Sequence, residues 1–288
     1  MAGAERPSIR NDGGSELDIG IRDTVSVAVC IGVSVAVGFF IQFAISDVIM
    51  SDLTIVYLTA NKMPNKWVEY HLKHLVLAVG NHPVITVSRQ PMSLGLGETK
   101  LLQTSDWGSW NTFLEWNKAA KIAKTPYVAI AEDDTLYHPW HFSKFRPQMD
   151  EVAYDMSRWT VLSWVKIPTF GMLRRLGGFT MICPRELMIA ALDERERKHP
   201  HGCPRPGEIG REDTERRMRV TRRKHVEWWC DYPMVNLAHP DGLSPTYIGP
   251  TGWQRKLGEM KALEIPYWGR AEDIARVYNE GVKARCET

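Results

Sequence analysis

With 288 residues the chain is long enough to bury a sizeable core as one large domain or two small ones. At 44% hydrophobic and 24% charged it is ordinary for a globular protein, which excludes a low-complexity chain, and a net charge of only +2 carries no bulk signature of a nucleic-acid binder. The five cysteines (30, 183, 203, 230 and 286) are odd in number, scattered and without a CxxC pair, which argues against a disulfide framework and a thiolate zinc site and for a reducing compartment.

Residues 1–23 are polar, with Gly13, Gly14 and scattered charges, and read as disordered. Thr24 to Ser46 then carries no charge at all. Its length is about the roughly 20 residues that a helix needs to span a bilayer. The region before it is long and more acidic than basic, unlike a secretory signal, and the flanking charges set no orientation. Two readings stay open: residues 24–46 anchor a globular catalytic domain in a membrane, or they are an extension outside the working protein, which would start at Met50 and be cytoplasmic.

From Leu53 the pattern alternates between strands and helices. "LTIVYLTA" (53–60) is a β-branched apolar run followed by the turn "NKMPN". "KWVEYHLKHLVLAV" (66–79) has helical apolar spacing and stops at Gly80. "PVITVS" (83–88) is a second strand, and the glycine-rich loop 93–98 follows. "SWNTFLEWNKAAKIAK" (109–124) predicts a helix, with Ser109 or Asn111 as its cap, and "YVAIA" (127–131) a third strand. Strands are also expected at 158–165 and 178–183, and Pro184 opens a helix over the following residues to Lys198. Residues 199–211 read as a Pro- and Gly-rich loop, 212–224 as an exposed helix, 225–249 as irregular with strand pieces, and 271–285 as a closing helix. The β-α-β-α-β order predicts parallel pairing with right-handed crossovers, hence an α/β fold over 51–288. Ligands of such sheets bind outside the carboxyl ends of the strands.

The third strand runs straight into Glu132, Asp133 and Asp134 at that end. Alternation along an extended chain sends Glu132 and Asp134 one way and Asp133 the other, whereas a turn at Thr135 would gather Asp133 and Asp134 on one ligand. A divalent cation would offset their repulsion, since Mg²⁺ or Mn²⁺ commonly takes one or two carboxylates together with phosphate oxygens and waters. The plainer alternative is a solvated acidic turn.

The segment "NKAAKIAKTPYVAIAEDDTLYHP" resembles the helix–strand–acid segment of nucleotide-sugar glycosyltransferases of the GT-A fold, family-2-like, through Asn117, Ala123, Lys124 and "YVAIAEDD". "LGGFTMICPREL" (176–187), "GREDTERRMR" (210–219) and "NLAHPDGLS" (236–244) resemble further stretches of that family in the same order, so the resemblance runs from about Leu53 to about Ser244. It implies a single domain with a mainly parallel sheet, a Rossmann-like nucleotide-binding half and an acceptor-binding half. It further implies metal-dependent transfer of a sugar from a nucleotide-diphosphate donor to a hydroxyl acceptor, with inversion. By resemblance, Asp134, Asp133 and His239 would hold a Mn or Mg ion. Thr59, Asn61, Arg89, Asn117, Glu132 and Asp133 would face the nucleotide sugar, and Gly177, Gly178 and Phe179 the acceptor. Asp213, with Glu212 as its rival, would be the general base. Position 119 is Ala where the family often has Gly, and "VSRQPM" stands where many members place an Asp for the base, so the nucleotide's identity stays open.

Plainer roles stand beside these. Asn117 also reads as an exposed helical polar residue, and Glu212, Asp213 and Glu215 as acids favouring a helix N-terminus. His199, His201 and Cys203 lack a second ligand pair for zinc. The arginines between Arg211 and Lys224 suit either a solvated helix or an anionic acceptor, such as an acidic glycan, a phosphorylated lipid or DNA. Trp107 and Trp110 are candidates for stacking on a sugar. The alternative activities are a nucleotidyltransferase, which the missing basic phosphate loop after the first strand disfavours, and a non-catalytic sugar-nucleotide-binding membrane protein.

Overall fold

A computed structural model describes residues 51–103, 108–172, 174–203, 206–239 and 260–286. They belong to one compact unit. The candidate membrane segment 24–46, residues 1–23 with their expected disorder, and Trp107 lie outside the described residues. Among those described, no helix is long and apolar enough to cross a membrane.

In chain order the elements are β1 (Leu53–Thr59), α1 (Asn65–Val79), β2 (Val84–Ser88), β3 (Thr99–Leu102), α2 (Ser109–Ile122), β4 (Tyr127–Glu132), β5 (Thr135–Leu136), β6 (Glu151–Asp155), β7 (Arg158–Leu162), β8 (Phe170–Met172), β9 (Met181–Pro184), α3 (Arg185–Lys198), α4 (Glu212–Met218), β10 (Lys224–Trp228) and β11 (Met234–Ala238). The short β12 (Lys261–Ala262), β13 (Glu264–Ile265) and β14 (Gly269–Arg270) lead into α5 (Ala271–Cys286).

Among the described residues the strands form a seven-stranded sheet in the order β10-β6-β9-β4-β1-β2-β3, a five-stranded sheet in the order β12-β8-β7-β11-β5, and the β13-β14 hairpin. The larger sheet is parallel throughout except at β9, which runs against both β4 and β6. The protein is thus mixed α/β with a mainly parallel central sheet, as expected.

All seven residues of β1 are buried, because helices or the second sheet cover both faces. The strand period of two divides them. Val56 and Leu58 join Phe113 and Trp116 of α2 and Met188 of α3 in one core, while Leu53, Ile55 and Tyr57 join Leu75 and Val79 of α1 in another. A third core gathers Trp67, Leu136, Phe170, Trp268, Ile274 and Tyr278, where α1 and α5 cover the smaller sheet. Gly80 closes α1 at φ +53, a backbone setting that favours glycine.

Several expectations need correction. Neither Ser109 nor Asn111 caps α2: Ser109 is its first helical residue, Gly108 sits at the cap position, and no side-chain cap bond forms. The exposed helix over 212–224 ends at Met218, because Arg219 adopts a left-handed conformation (φ +53), and the chain then extends into β10. The strand expected over 178–183 begins with a turn of 3-10 helix at Gly178–Thr180 and continues as β9.

His71 of α1 is fully buried with its ring 5.6 Å from that of Tyr57. Burial, with His74 nearby, lowers its pKa to about 3. The folded state therefore favours the neutral ring; stability is fully present above about pH 6.5 and is lost as pH falls from there toward 3. His71→Leu should remove this loss. The unfolding free energy of the wild type relative to the variant should drop by up to about 3 kcal/mol between pH 7 and pH 4 in urea titrations; a pH-independent difference would refute the assignment.

Candidate active site

β1 and β4 are parallel neighbours in the middle of the sheet, so Leu58 stands beside Glu132 and the chain beyond each strand emerges at one edge. The backbone of the acidic turn is fixed residue by residue. The Glu132 N–H donates to the Tyr137 hydroxyl (3.0 Å), and the Asp133 N–H to the Leu58 carbonyl (3.2 Å). The Trp67 indole donates to the Asp133 carbonyl (2.7 Å), and the Leu237 N–H to the Asp134 carbonyl (2.7 Å).

The side chains are held just as closely. Thr59 donates to Asp133 Oδ2 (2.5 Å). Asp134 Oδ1 accepts from Thr135 (3.0 Å) and from the Asn236 amide (3.1 Å), while its Oδ2 lies 3.8 Å from His239 Nε2. Burial raises all three carboxyl pKa values. Burial and the Asp134 charge bring Asp133 up to about 7, opposed by the Thr59 bond. Glu132 is pushed well above the usual range by burial, Asp134 and Asp133, against the attraction of Arg158. For Asp134, His239 and the Thr135 and Asn236 bonds work against burial.

This donor set suits a hard divalent cation, which would relieve the repulsion that raises these groups. Among the described residues no three His, Cys, Asp or Glu side chains form a ready cage. An ion held by Asp133 and Asp134 would therefore complete its shell with waters and ligand oxygens, as Mg²⁺ commonly does.

One strand further out, Ser88 of β2 stands beside Thr59. A cleft of about 390 Å³ opens there, lined by Ser88, Pro91, Met92, Lys100, Leu101 and Leu102. Beside it Asn61, at φ +56, accepts the backbone N–H groups of Arg89 and Gln90 at 2.9 Å each and donates to Sδ of the lining Met92 (3.3 Å). With strands spaced about 4.8 Å apart, the cleft and the acids lie roughly 10 Å from each other, two strands across.

The Gly-Gly-Phe stretch also reaches the acids. The hydroxyl of Tyr137, which holds the Glu132 N–H, donates to the Phe179 carbonyl (3.2 Å). The Phe179 ring lies 4.7 Å from the buried Arg158 guanidinium. Both glycines lie against packed side chains: a Cβ on Gly177 would sit 2.1 Å from Arg158 Nη1, and one on Gly178 2.2 Å from the Trp116 ring.

Other candidates are placed differently. Asn117 is buried and its amide donates to Asp193 of α3 (2.7 Å), a helix–helix bond. Asp213 and Glu212 are exposed at the start of α4 and turn to Arg211 (2.7 Å) and Arg222 (3.3 Å). The Arg211 bond lowers the Asp213 pKa. Trp110 packs against Gly202 and edge-on to His199.

The structure also brings in Trp67, Tyr137, Arg158 and Asn236, which sequence reasoning did not nominate. Only Asn236 had a signal, as the first residue of the stretch that contains His239.

No protein-family model and no curated protein matches the chain. Among solved structures, a Staphylococcus aureus TarS fragment in complex with UDP-GlcNAc is similar at 12% identity and a TM-score of 0.40, covering 67% of this chain and 60% of that one. The 2-C-methyl-D-erythritol 4-phosphate cytidylyltransferase of Thermus thermophilus gives 12% and 0.38, over 65% and 94%. The apo glycosyltransferase GlyE of Streptococcus pneumoniae gives 11% and 0.36, over 60% and 44%. The chain thus spans less than two thirds of TarS and GlyE. Nucleotide-sugar transferases and a nucleotidyltransferase are both among these structures, and likenesses at this level do not decide an activity.

Gly178→Ala should lower stability by about 1–3 kcal/mol through the clash with Trp116, as overpacking of a rigid core does. Urea midpoints would check this. In a Trp116→Leu background the added cost of Gly178→Ala should largely vanish, a coupling that a double-mutant cycle reads directly.

Proposed function

We propose that the protein is a metal-dependent glycosyltransferase of GT-A type that moves a sugar from a nucleotide-diphosphate donor to an acceptor hydroxyl with inversion. The observation that carries this reading is the placement of three half-buried acids at the carboxyl end of β4, two parallel strands across from a nucleotide-sized cleft at the carboxyl end of β2.

In this reading the nucleoside lies in the cleft between Met92 and Lys100, and Asn61 donates to Met92. The diphosphate runs across Thr59 toward the acids. Asp134 and Asp133, with His239 at the rim, would hold a Mg²⁺ or Mn²⁺ ion, which supplies a counter-charge for the departing diphosphate. Asn236 and Thr135 orient Asp134, and Thr59 orients Asp133. The acceptor enters on the Gly177–Phe179 side, and its hydroxyl gives up a proton to a carboxylate as it attacks the anomeric carbon. The anomeric centre becomes oxocarbenium-like in that step, so the acids behind it also favour the transition state electrostatically.

Thermal melting of the full chain against a panel of nucleotide sugars, with and without Mn²⁺, should show one donor that stabilises only with the metal. Asp134→Asn should retain a wild-type melt without ligand, lose the metal-dependent stabilisation and lower transfer at least about 100-fold. Release of a nucleoside diphosphate marks glycosyl transfer, whereas pyrophosphate would mark a nucleotidyltransferase. Donor binding without any consumption would mark a binding protein.

A further inference from the structure

At the end of the smaller sheet away from the acids, three aromatic rings surround one histidine. The buried His138 ring lies 4.5 Å from that of Tyr232, stacked, and 4.4 Å from Tyr267 and 5.1 Å from Trp140, both edge-on. Its Nδ1 accepts the Trp140 N–H (3.2 Å), which fixes the plane of the ring. Trp140 and Tyr232 are 5.3 Å apart, and Tyr232 and Tyr267 5.9 Å. Tyr232 and Pro233 stand just before β11, whereas His239, beside Asp134, stands just after it. The cluster is therefore about one strand length from the acids, roughly 17 Å.

A core would bury these rings, yet Trp140 is 40% and Tyr267 47% exposed. Both are held from the protein side. Lys144 Nζ sits 4.1 Å from the Trp140 ring and pairs with Asp231. Tyr267 stands in the turn of the β13-β14 hairpin, and the next residue, the buried Trp268, pins that turn by donating to the Pro233 carbonyl (2.5 Å). Tyr267 follows Pro266 and takes φ +71, a setting that turns ordinarily give to Gly or Asn. A tyrosine there carries backbone strain, which persists where the surroundings enforce it and gathers at sites that hold ligands. The chemistry of the patch selects the ligand. Two half-exposed aromatic side chains offer roughly 200 Å², against about 800 Å² per partner in a stable protein interface. Seating on a lipid surface would bury the exposed Asp231 and Lys144 together with the rings, at a cost. A pyranose suits both features. Its C–H face lies on an aromatic ring, and its hydroxyls, each a donor and an acceptor, meet an ammonium and a carboxylate side by side.

We infer that Trp140 and Tyr267, with Lys144 and Asp231 at their edge, form a carbohydrate-binding platform, separate from the strand-end acids, that holds part of an oligosaccharide chain by ring stacking. His138, Tyr232 and Trp268 are positioning residues that set the two exposed rings. The platform does not depend on the transfer reading: a protein that consumed no donor would still bind a glycan here.

The test titrates the full chain with hexasaccharides of α- and β-linked glucose, of N-acetylglucosamine and of galacturonic acid, read by calorimetry and by tryptophan fluorescence. At least one of them should bind the wild type. Trp140→Ala and Tyr267→Ala should each weaken that binding at least about 10-fold, a usual cost of removing an aromatic anchor, and Tyr267→Phe should keep it. Neither alanine variant should change the Mn²⁺-dependent stabilisation by a nucleotide sugar, where the wild type shows it. If Tyr267→Ala does not melt cooperatively, Tyr267→Asn, whose side chain tolerates a positive φ, takes its place. No binding of any hexasaccharide at millimolar concentration, or binding that either ring variant keeps, overturns the inference. Self-association or vesicle binding that the ring variants abolish also overturns it, because a second copy or a lipid surface would then be the occupant.

Discussion

Three like charges are packed at the end of one buried strand, and the surrounding structure is organised by the need to hold them there. Two unit charges about 4 Å apart repel by roughly 4 kcal/mol at an effective dielectric near 20. The turn cannot relieve this by retreating, because Tyr137, Leu58, Trp67 and Leu237 each hold a backbone group of Glu132, Asp133 or Asp134. Those anchors come from a core tyrosine, from β1, α1 and β11, so moving the acids would disturb all three hydrophobic cores at once. Relief must come from the side chains' own partners or from a ligand. Thr59, Thr135 and Asn236 supply hydrogen bonds but no charge, His239 stands 3.8 Å from Asp134, and Arg158 supplies positive charge.

The same constraint explains why the smaller sheet exists. β11 pairs with β5 directly after the acids, and that pairing brings Asn236 to Asp134 and His239 to the rim. β7 pairs with β11 on its other side and carries Arg158 at its first residue. The second sheet therefore delivers both the neutral and the cationic partners of the cluster, and α1 and α5 cover its apolar face.

Much of this was legible because apolar runs in a parallel sheet are buried on both faces. β1, β2 and β4 stood out as short β-branched runs with helical spacing between them, and the acids followed β4 without a break. β3, β6 and β10 did not stand out. β3 is an edge strand with three exposed residues out of four, and β10 alternates little and is mostly exposed, so neither carries the periodicity that marks a half-buried strand. Composition overstates the length of α4, since it favours helix well past Met218, while a left-handed Arg219 stops it. Asn117 shows the limit of reading a polar residue on a helix: its spacing fits exposure or ligand binding, and only the placement of α3 shows that it bonds Asp193.

The Gly-Gly-Phe stretch shows a packing purpose that the motif alone does not reveal. By resemblance it belongs to the acceptor side, but the side-chain positions give its glycines a steric purpose. Gly177 lets the Arg158 guanidinium press against the backbone, and Gly178 admits the Trp116 ring. Phe179 then covers the guanidinium on one face and, through its carbonyl, holds the Tyr137 hydroxyl that fixes Glu132. A change in this segment would therefore shift Arg158 and Tyr137 together, and with them the charge balance and the geometry of the acids. Coupling of this kind needs no moving part. It follows from packing one buried cation and one buried hydroxyl against Phe179, so that the Gly-Gly-Phe stretch and the acidic turn share a single set of contacts.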